Sequence, residues 1–207
     1  MIEVKNISLA LNKRQILNNV SLTLKEGNIY GLVGNNGSGK TMLMKCMCGF
    51  IRPTEGTVES NGKVIGRDVD YLPDAGVIIE TPGFIPYYSG FQNLKVLAGI
   101  KKKISAKEIR EAIQTVGLDP DLKLPVKKYS LGMRQRLGLA QAIMENPSVL
   151  ILDEPMNGLD KNGVEEIRKL LLFMKDERKI IVIASHNAED IRVLCDEVHE
   201  MEQGELI

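Results

Sequence analysis

Gly31-Leu-Val-Gly-Asn-Asn-Gly-Ser-Gly-Lys-Thr41 is the stretch that decides the fold. Within it, Gly34, Gly39, Lys40 and Thr41 complete the pattern G-x-x-x-x-G-K-[ST], the P-loop. A polyphosphate needs many donors converging on it. A tight loop supplies them from its own N–H groups, here from Gly34 through Asn35, Asn36, Gly37, Ser38 and Gly39, and its glycines let the backbone approach without Cβ obstruction. Lys40 adds a point charge at the β/γ-phosphates, and the Thr41 hydroxyl is placed to ligate Mg²⁺. Asn28 to Val33 reads as a short buried strand and Thr41 to Cys48 as the helix it feeds. The positive dipole end of that helix then faces the phosphates. A chance Gly-rich turn would lack this strand and helix, so the stretch predicts a nucleoside triphosphate site.

The 207 residues suffice for one large domain, or for one core with an inserted subdomain. Lys+Arg and Asp+Glu both number 27, so no global field points to nucleic acid or to an anionic membrane. The run Lys101-Lys102-Lys103 is too short to count as a binding patch. Cys46, Cys48 and Cys195 form neither a disulfide framework nor a zinc spacing, and are expected as buried, reduced thiols. The start, Met-Ile-Glu-Val-Lys, has no basic or apolar leader segment. The apolar stretches Val149 to Leu152 and Ile180 to Ala184 are far short of a bilayer span. These features predict a cytoplasmic protein whose membrane role needs a separate partner.

Along the chain, strands are expected around Ile2 to Val4 and Val20 to Leu24, with Asn18-Asn19 and Glu26-Gly27 as turn signals. Thr57 to Ile65 reads as a hairpin turning at Asn61-Gly62, and Val77 to Ile79 as a further apolar run. From Ser89 to Met144 the period becomes helical. Ile104, Ile109, Ile113 and Val116 form an apolar face behind a Ser105/Glu108 capping box, and a second helix is expected from Met133 to Met144. A strand (Val149 to Leu152), a helix (Gly163 to Met174), a β-branched strand (Ile180 to Ala184), a helix to Leu194 and a strand (Val198 to Met201) follow. The expected fold is α/β, a P-loop NTPase core with a mainly parallel sheet. An N-terminal antiparallel β subdomain precedes it, and a helical subdomain is inserted at about residues 85–145 of a single 1–207 domain.

The strand Val149-Leu-Ile-Leu-Asp153-Glu154-Pro155 ends in two adjacent carboxylates. In P-loop NTPases an acid at such a strand end faces the loop and holds Mg²⁺. Neighbouring residues on a strand point to opposite faces. The expected division is therefore Asp153 for the metal and Glu154, at the strand exit, for polarising the attacking water.

Tyr129-Ser130-Leu131-Gly132-Met133-Arg134-Gln135-Arg136 resembles the signature motif of ATP-binding cassette (ABC) ATPases, Leu-Ser-Gly-Gly-Gln-Gln-Gln-Arg, and stands just before a helix upstream of the acidic strand. Asn157-Gly158-Leu159-Asp160 looks like that family's D-loop, and Ser185-His186 like its switch histidine. The resemblance covers essentially the whole chain. It implies that Ser130 and Gly132 close over the γ-phosphate held by the opposite subunit of a head-to-tail dimer, with itself or with another ABC subunit, and that His186 touches that phosphate. Leu131 stands for a signature glycine, and Glu80 occupies what looks like the Q-loop position, where it can meet Mg²⁺ or water. Leu11 falls where the family places an aromatic against adenine. The clustered Phe84, Tyr87, Tyr88 and Phe91 either pack the helical subdomain or receive a cytoplasmic helix of an integral membrane permease subunit. The Tyr-Ser-Leu-Gly-Met form with Glu80 looks most like bacterial single-domain export subunits, including those for peptide antibiotics and lantibiotics. The expected activity is ATP hydrolysis in a dimer at the inner face of the membrane. The alternatives are a transport-independent ABC ATPase, such as an iron–sulfur assembly factor, and a non-catalytic ATP-dependent clamp.

Overall fold

The computed structural model describes residues 1–207. Alternating apolar residues near the N-terminus form an antiparallel hairpin of β1 (Ile2–Leu11) and β2 (Arg14–Leu24). The chain reverses at Asn12 and Lys13, whose φ values of 50° and 66° fit a two-residue type I′ turn. The expected turn at Asn18-Asn19 is instead an irregularity inside β2. Asn6 (φ 51°) and Asn19 (φ 49°) fall at register shifts between β1 and β2, and Asn6 Nδ2 donates to Asn19 Oδ1 at 2.9 Å. Asparagine tolerates the left-handed region in turns and bulges alike, so sequence alone does not separate the two.

β3 (Asn28–Val33) then leads into α1 (Lys40–Cys48). The hairpin at Asn61-Gly62 forms between β4 (Glu55–Ser60) and β5 (Lys63–Val64). β1, β2, β4 and β5 make one antiparallel sheet in the order β2-β1-β4-β5.

β6 (Ala75–Ile78) follows, and residues 79–148 contain helices and no strand: α2 (Gly90–Lys101), α3 (Ala106–Thr115), a 3-10 turn at Val126–Lys128 and α4 (Leu131–Ile143). Ser105 and Glu108 form the expected capping box on α3, and Ser89 with Gln92 forms the same device on α2. The remainder is β7 (Val149–Asp153), α5 (Lys161–Asp176), β8 (Ile180–Ala184), α6 (Ala188–Leu194), β9 (Glu197–Glu202) and β10 (Glu205–Leu206). These strands form the second sheet in the order β10-β9-β3-β8-β7-β6, parallel except for the β9/β10 edge. All five residues of β8 are buried, as a central parallel strand covered on both faces requires.

That sheet divides two cores. Successive side chains of a strand point to opposite faces. Accordingly Ile181 and Ile183 pack with Leu137, Leu139, Ile167 and Leu171 of the helices, while Val182 and Ala184 pack with Leu43, Met44 and Met47 of α1 and with the antiparallel sheet. All three cysteines are free. Burial pushes the Cys46 thiol up to about 11 and the Cys48 thiol up to about 12, so both stay protonated and inert near neutral pH.

Candidate functional site

The loop between β3 and α1 takes its shape from its glycines. Gly34, Gly37 and Gly39 have φ of 141°, 81° and 111°. A Cβ on Gly34 would stand 2.2 Å from the Met201 carbonyl oxygen, and one on Gly39 2.9 Å from Leu17 Cδ2. Both are therefore held against neighbouring strands. Nothing lies within 4 Å of a Cβ built on Gly37, so the loop is open on that side. Lys40 Nζ arches back to donate to the carbonyls of Gly34 at 2.7 Å and Asn35 at 3.0 Å. The loop edges a cavity of about 570 Å³ whose lining includes Asn36, Gly37, Gly39, Lys40 and Thr41.

β7 brings its two acids to the same cavity. Thr41 Oγ1 donates to Asp153 Oδ2 at 2.8 Å, joining residues 112 positions apart. The strand ends at Asp153, and Glu154 (φ 50°) leaves it in the left-handed region. This break in the alternation lets both carboxylates line one cavity. Glu154 is held on three sides. Its Oε1 accepts from the His186 N–H at 3.1 Å, its Oε2 lies 2.8 Å from His186 Nδ1, and its carbonyl accepts from Gln135 Nε2 at 3.0 Å. His186, otherwise exposed, also edges a neighbouring depression with Asn35 and Asn36.

Glu80 also lines the cavity, at φ 61°. A non-glycine residue in that region carries a strain of about 1–2 kcal/mol. Its carboxylate meets Lys45 Nζ at 2.5 Å. Leu11 ends β1 at the hairpin tip and is not among the residues lining the cavity. Its cross-strand neighbour Arg14 and nearby Ile16 do line it. Arg14, Ile16, Lys45 and Gln135 were missed as site residues from sequence. Only the position of Gln135 in the signature-like segment gave any signal.

Ser130 caps α4, its Oγ accepting from the Met133 N–H at 3.2 Å. α4 therefore begins at Leu131, two residues before the expected Met133. A Cβ on Gly132 would stand 2.8 Å from the Gly158 carbonyl oxygen, and one on Gly158 2.5 Å from Leu131 Cγ. The signature-like segment and Asn157-Gly158 are thus packed together within the chain. Asp160 Oδ1 accepts from the Gly163 N–H at 2.9 Å and caps α5. Neither Ser130 nor Gly132 lines the P-loop cavity of its own chain. The aromatic cluster divides: Phe84 and Phe91 pack on the helical core, while Tyr87 and Tyr88 are exposed.

The residues present suit a magnesium–triphosphate. Thr41 Oγ1 and Asp153 Oδ2 are paired hard oxygen donors, and the glycine loop leaves room over Gly37.

Comparison with known proteins agrees with this geometry. The family model described as "ABC transporter" matches residues 17–157. An uncharacterised ABC transporter ATP-binding protein of Bacillus subtilis, YybJ, is 45% identical over 206 residues, covering all of this chain and 94% of that protein. The bacitracin transport ATP-binding protein BcrA of Enterococcus faecalis is 40% identical over all of this chain and 68% of its own length. In fold, the chain matches the dimeric post-hydrolysis cassette MJ0796 bound to ADP and Pi with a TM-score of 0.88, at 22% identity, over all of this chain and 96% of that one. By the family match and these identities, the chain belongs to the ABC transporter family, among its ATP-binding subunits.

Proposed function

We propose that the chain hydrolyses ATP as one cassette of a sandwich dimer and drives a separate integral membrane subunit. The observation that carries this reading is the convergence of Thr41, Asp153 and Glu154 on the P-loop cavity, with His186 bonded to Glu154. The loop amides from Gly34 to Gly39 and Lys40 would hold the phosphates and stabilise charge that grows on them during transfer. Thr41 and Asp153 would hold Mg²⁺, whose charge counters that of the β- and γ-phosphates. Glu154 would orient the attacking water. His186, already bonded to Glu154, would couple that carboxylate to the γ-phosphate. Ser130 and Gly132 do not line the P-loop cavity of their own chain, which supports a role across the dimer. The exposed Tyr87 and Tyr88 suit anchors for the membrane subunit, and residues 85–145 would act as the inserted helical subdomain that carries them. No helix is long and apolar enough to cross a membrane, so the chain would sit at the cytoplasmic face through that subunit. The bacitracin relative supports an antibiotic transport system as the process served.

The test is Glu154→Gln. It should bind ATP and elute as an ATP-dependent dimer in size-exclusion chromatography, while turnover falls by about 10²-fold or more, as expected on losing a group that orients the nucleophile. Near-normal turnover would remove Glu154 from the mechanism. Slow hydrolysis that is unaffected by the substitution would favour a non-catalytic clamp.

A further inference from the structure

The nucleotide cavity must accept a polyanion, yet three carboxylates line it: Glu80, Asp153 and Glu154. Asp153 is engaged by the Thr41 hydroxyl and Glu154 by His186. Glu80 differs from both. It follows β6 on a loop, its side chain is 62% exposed, and its hydrogen-bond partner is Lys45 of α1. Lys45 is the more buried member, at 20% exposure, and it projects from the same helix whose first residues are Lys40 and Thr41. One helix thus supplies the phosphate-facing lysine, the metal-facing hydroxyl and, one turn on, a cation aimed at the third acid.

We propose that Lys45 is a positioning residue for nucleotide binding. It neutralises Glu80 and holds it in its left-handed backbone, so that an acid can edge the cavity without repelling the phosphates. This rests on the ATP-binding reading above. An uncompensated carboxylate at that edge would oppose ATP more than ADP, and ADP more than AMP, because the repulsion grows with ligand charge. Salt would weaken the effect, since both groups are within reach of solvent.

The experiment is isothermal titration calorimetry of ATP, ADP and AMP in the presence of a chelator, at low and at high salt. The proteins are wild type, Lys45→Met, Glu80→Gln and the double variant. Methionine keeps most of the lysine stem, and thermal melts report whether each protein is folded. Lys45→Met is expected to lose about tenfold in ATP affinity at low salt, less for ADP and least for AMP, with the deficit shrinking at high salt. Adding Glu80→Gln should restore affinity close to wild type, because the charge that needed neutralising is gone. Lys45→Arg should bind as wild type does. Unchanged ATP affinity in Lys45→Met overturns the proposal. So does a loss that Glu80→Gln does not repair, which would mean that Lys45 acts through packing alone. A wild-type protein that binds no ATP would instead overturn the functional reading on which the proposal stands.

Discussion

Arg14 shows how much of the site depends on single side chains. Its guanidinium makes no ion pair or hydrogen bond within the chain, and the residue lines both the main cavity and a second depression beside Gly34 and Asn35. The other cations lining the main cavity are engaged: Lys40 with loop carbonyls and Arg134 with the Tyr129 carbonyl. A part-exposed cation near a polyanion is worth about 1 kcal/mol. Arg14→Ala should therefore weaken ATP binding about fivefold, measured by calorimetry. An unchanged dissociation constant would exclude Arg14 from the phosphate or base contacts. Leu11, the residue expected to lie against the base, sits one cross-strand step away at the hairpin tip. The turn falls at Asn12-Lys13 and not at the expected Asn18-Asn19, and it is the strand after it, through Arg14 and Ile16, that faces the cavity.

At the scale of elements, the positions of β3 and α6 depend on a close approach at Gly31. A Cβ there would stand 2.8 Å from Cys195 Sγ and 3.2 Å from Ile191 Cδ1. β3 leads directly into the P-loop, so displacing it shifts the phosphate cradle as well. Gly31→Ala should lower stability by about 1–3 kcal/mol, the usual cost of overpacking a core, read from urea unfolding midpoints. Adding Cys195→Ala, which removes the sulfur, should recover part of that loss. No recovery would show that the strain lies elsewhere. The start of α3, by contrast, is readable from a few neighbouring residues, because Ser105 accepts the Glu108 N–H in the expected capping box and such caps are local by nature. Ser130 and Asp160 likewise each accept a backbone N–H from three residues on, although α4 is expected from Met133 and starts at Leu131. Ser89 with Gln92 carries the same signal on α2.

Across the whole molecule, Asp196 ties the start of β3 to the end of α5. Its Oδ2 accepts from the Ile29 N–H at 2.8 Å, and its other oxygen pairs with Lys175 of α5. Burial pushes its carboxyl up, but the Ile29 N–H and the Lys175 ammonium outweigh it and hold the group below the usual carboxylate range. A lowered folded value means the bonds stabilise the ionised form. Their contribution is full above the unfolded value of about 4 and is lost as pH falls through the lowered folded one. Asp196→Asn should therefore be less stable than wild type at neutral pH, with the gap closing below about pH 4. A gap independent of pH, by denaturant unfolding across a pH series, would refute this account.

By itself the sequence determined the P-loop, the two acids at the end of an apolar strand, the alternation of strands and helices around them and the Ser105/Glu108 cap. Each of these is set by residues within a few positions of one another, through periodicity, capping and backbone preference. Only the tertiary structure decided that Thr41 bonds Asp153 and Glu154 bonds His186, and that Lys45 meets Glu80 and Arg14 faces the cavity rather than Leu11. Those contacts join residues distant in the chain. They follow from the strand order β10-β9-β3-β8-β7-β6, which sets β8 between the P-loop strand and the acidic strand. Register and crossover across a parallel sheet are chosen by the packing of two cores, which no local stretch of sequence contains.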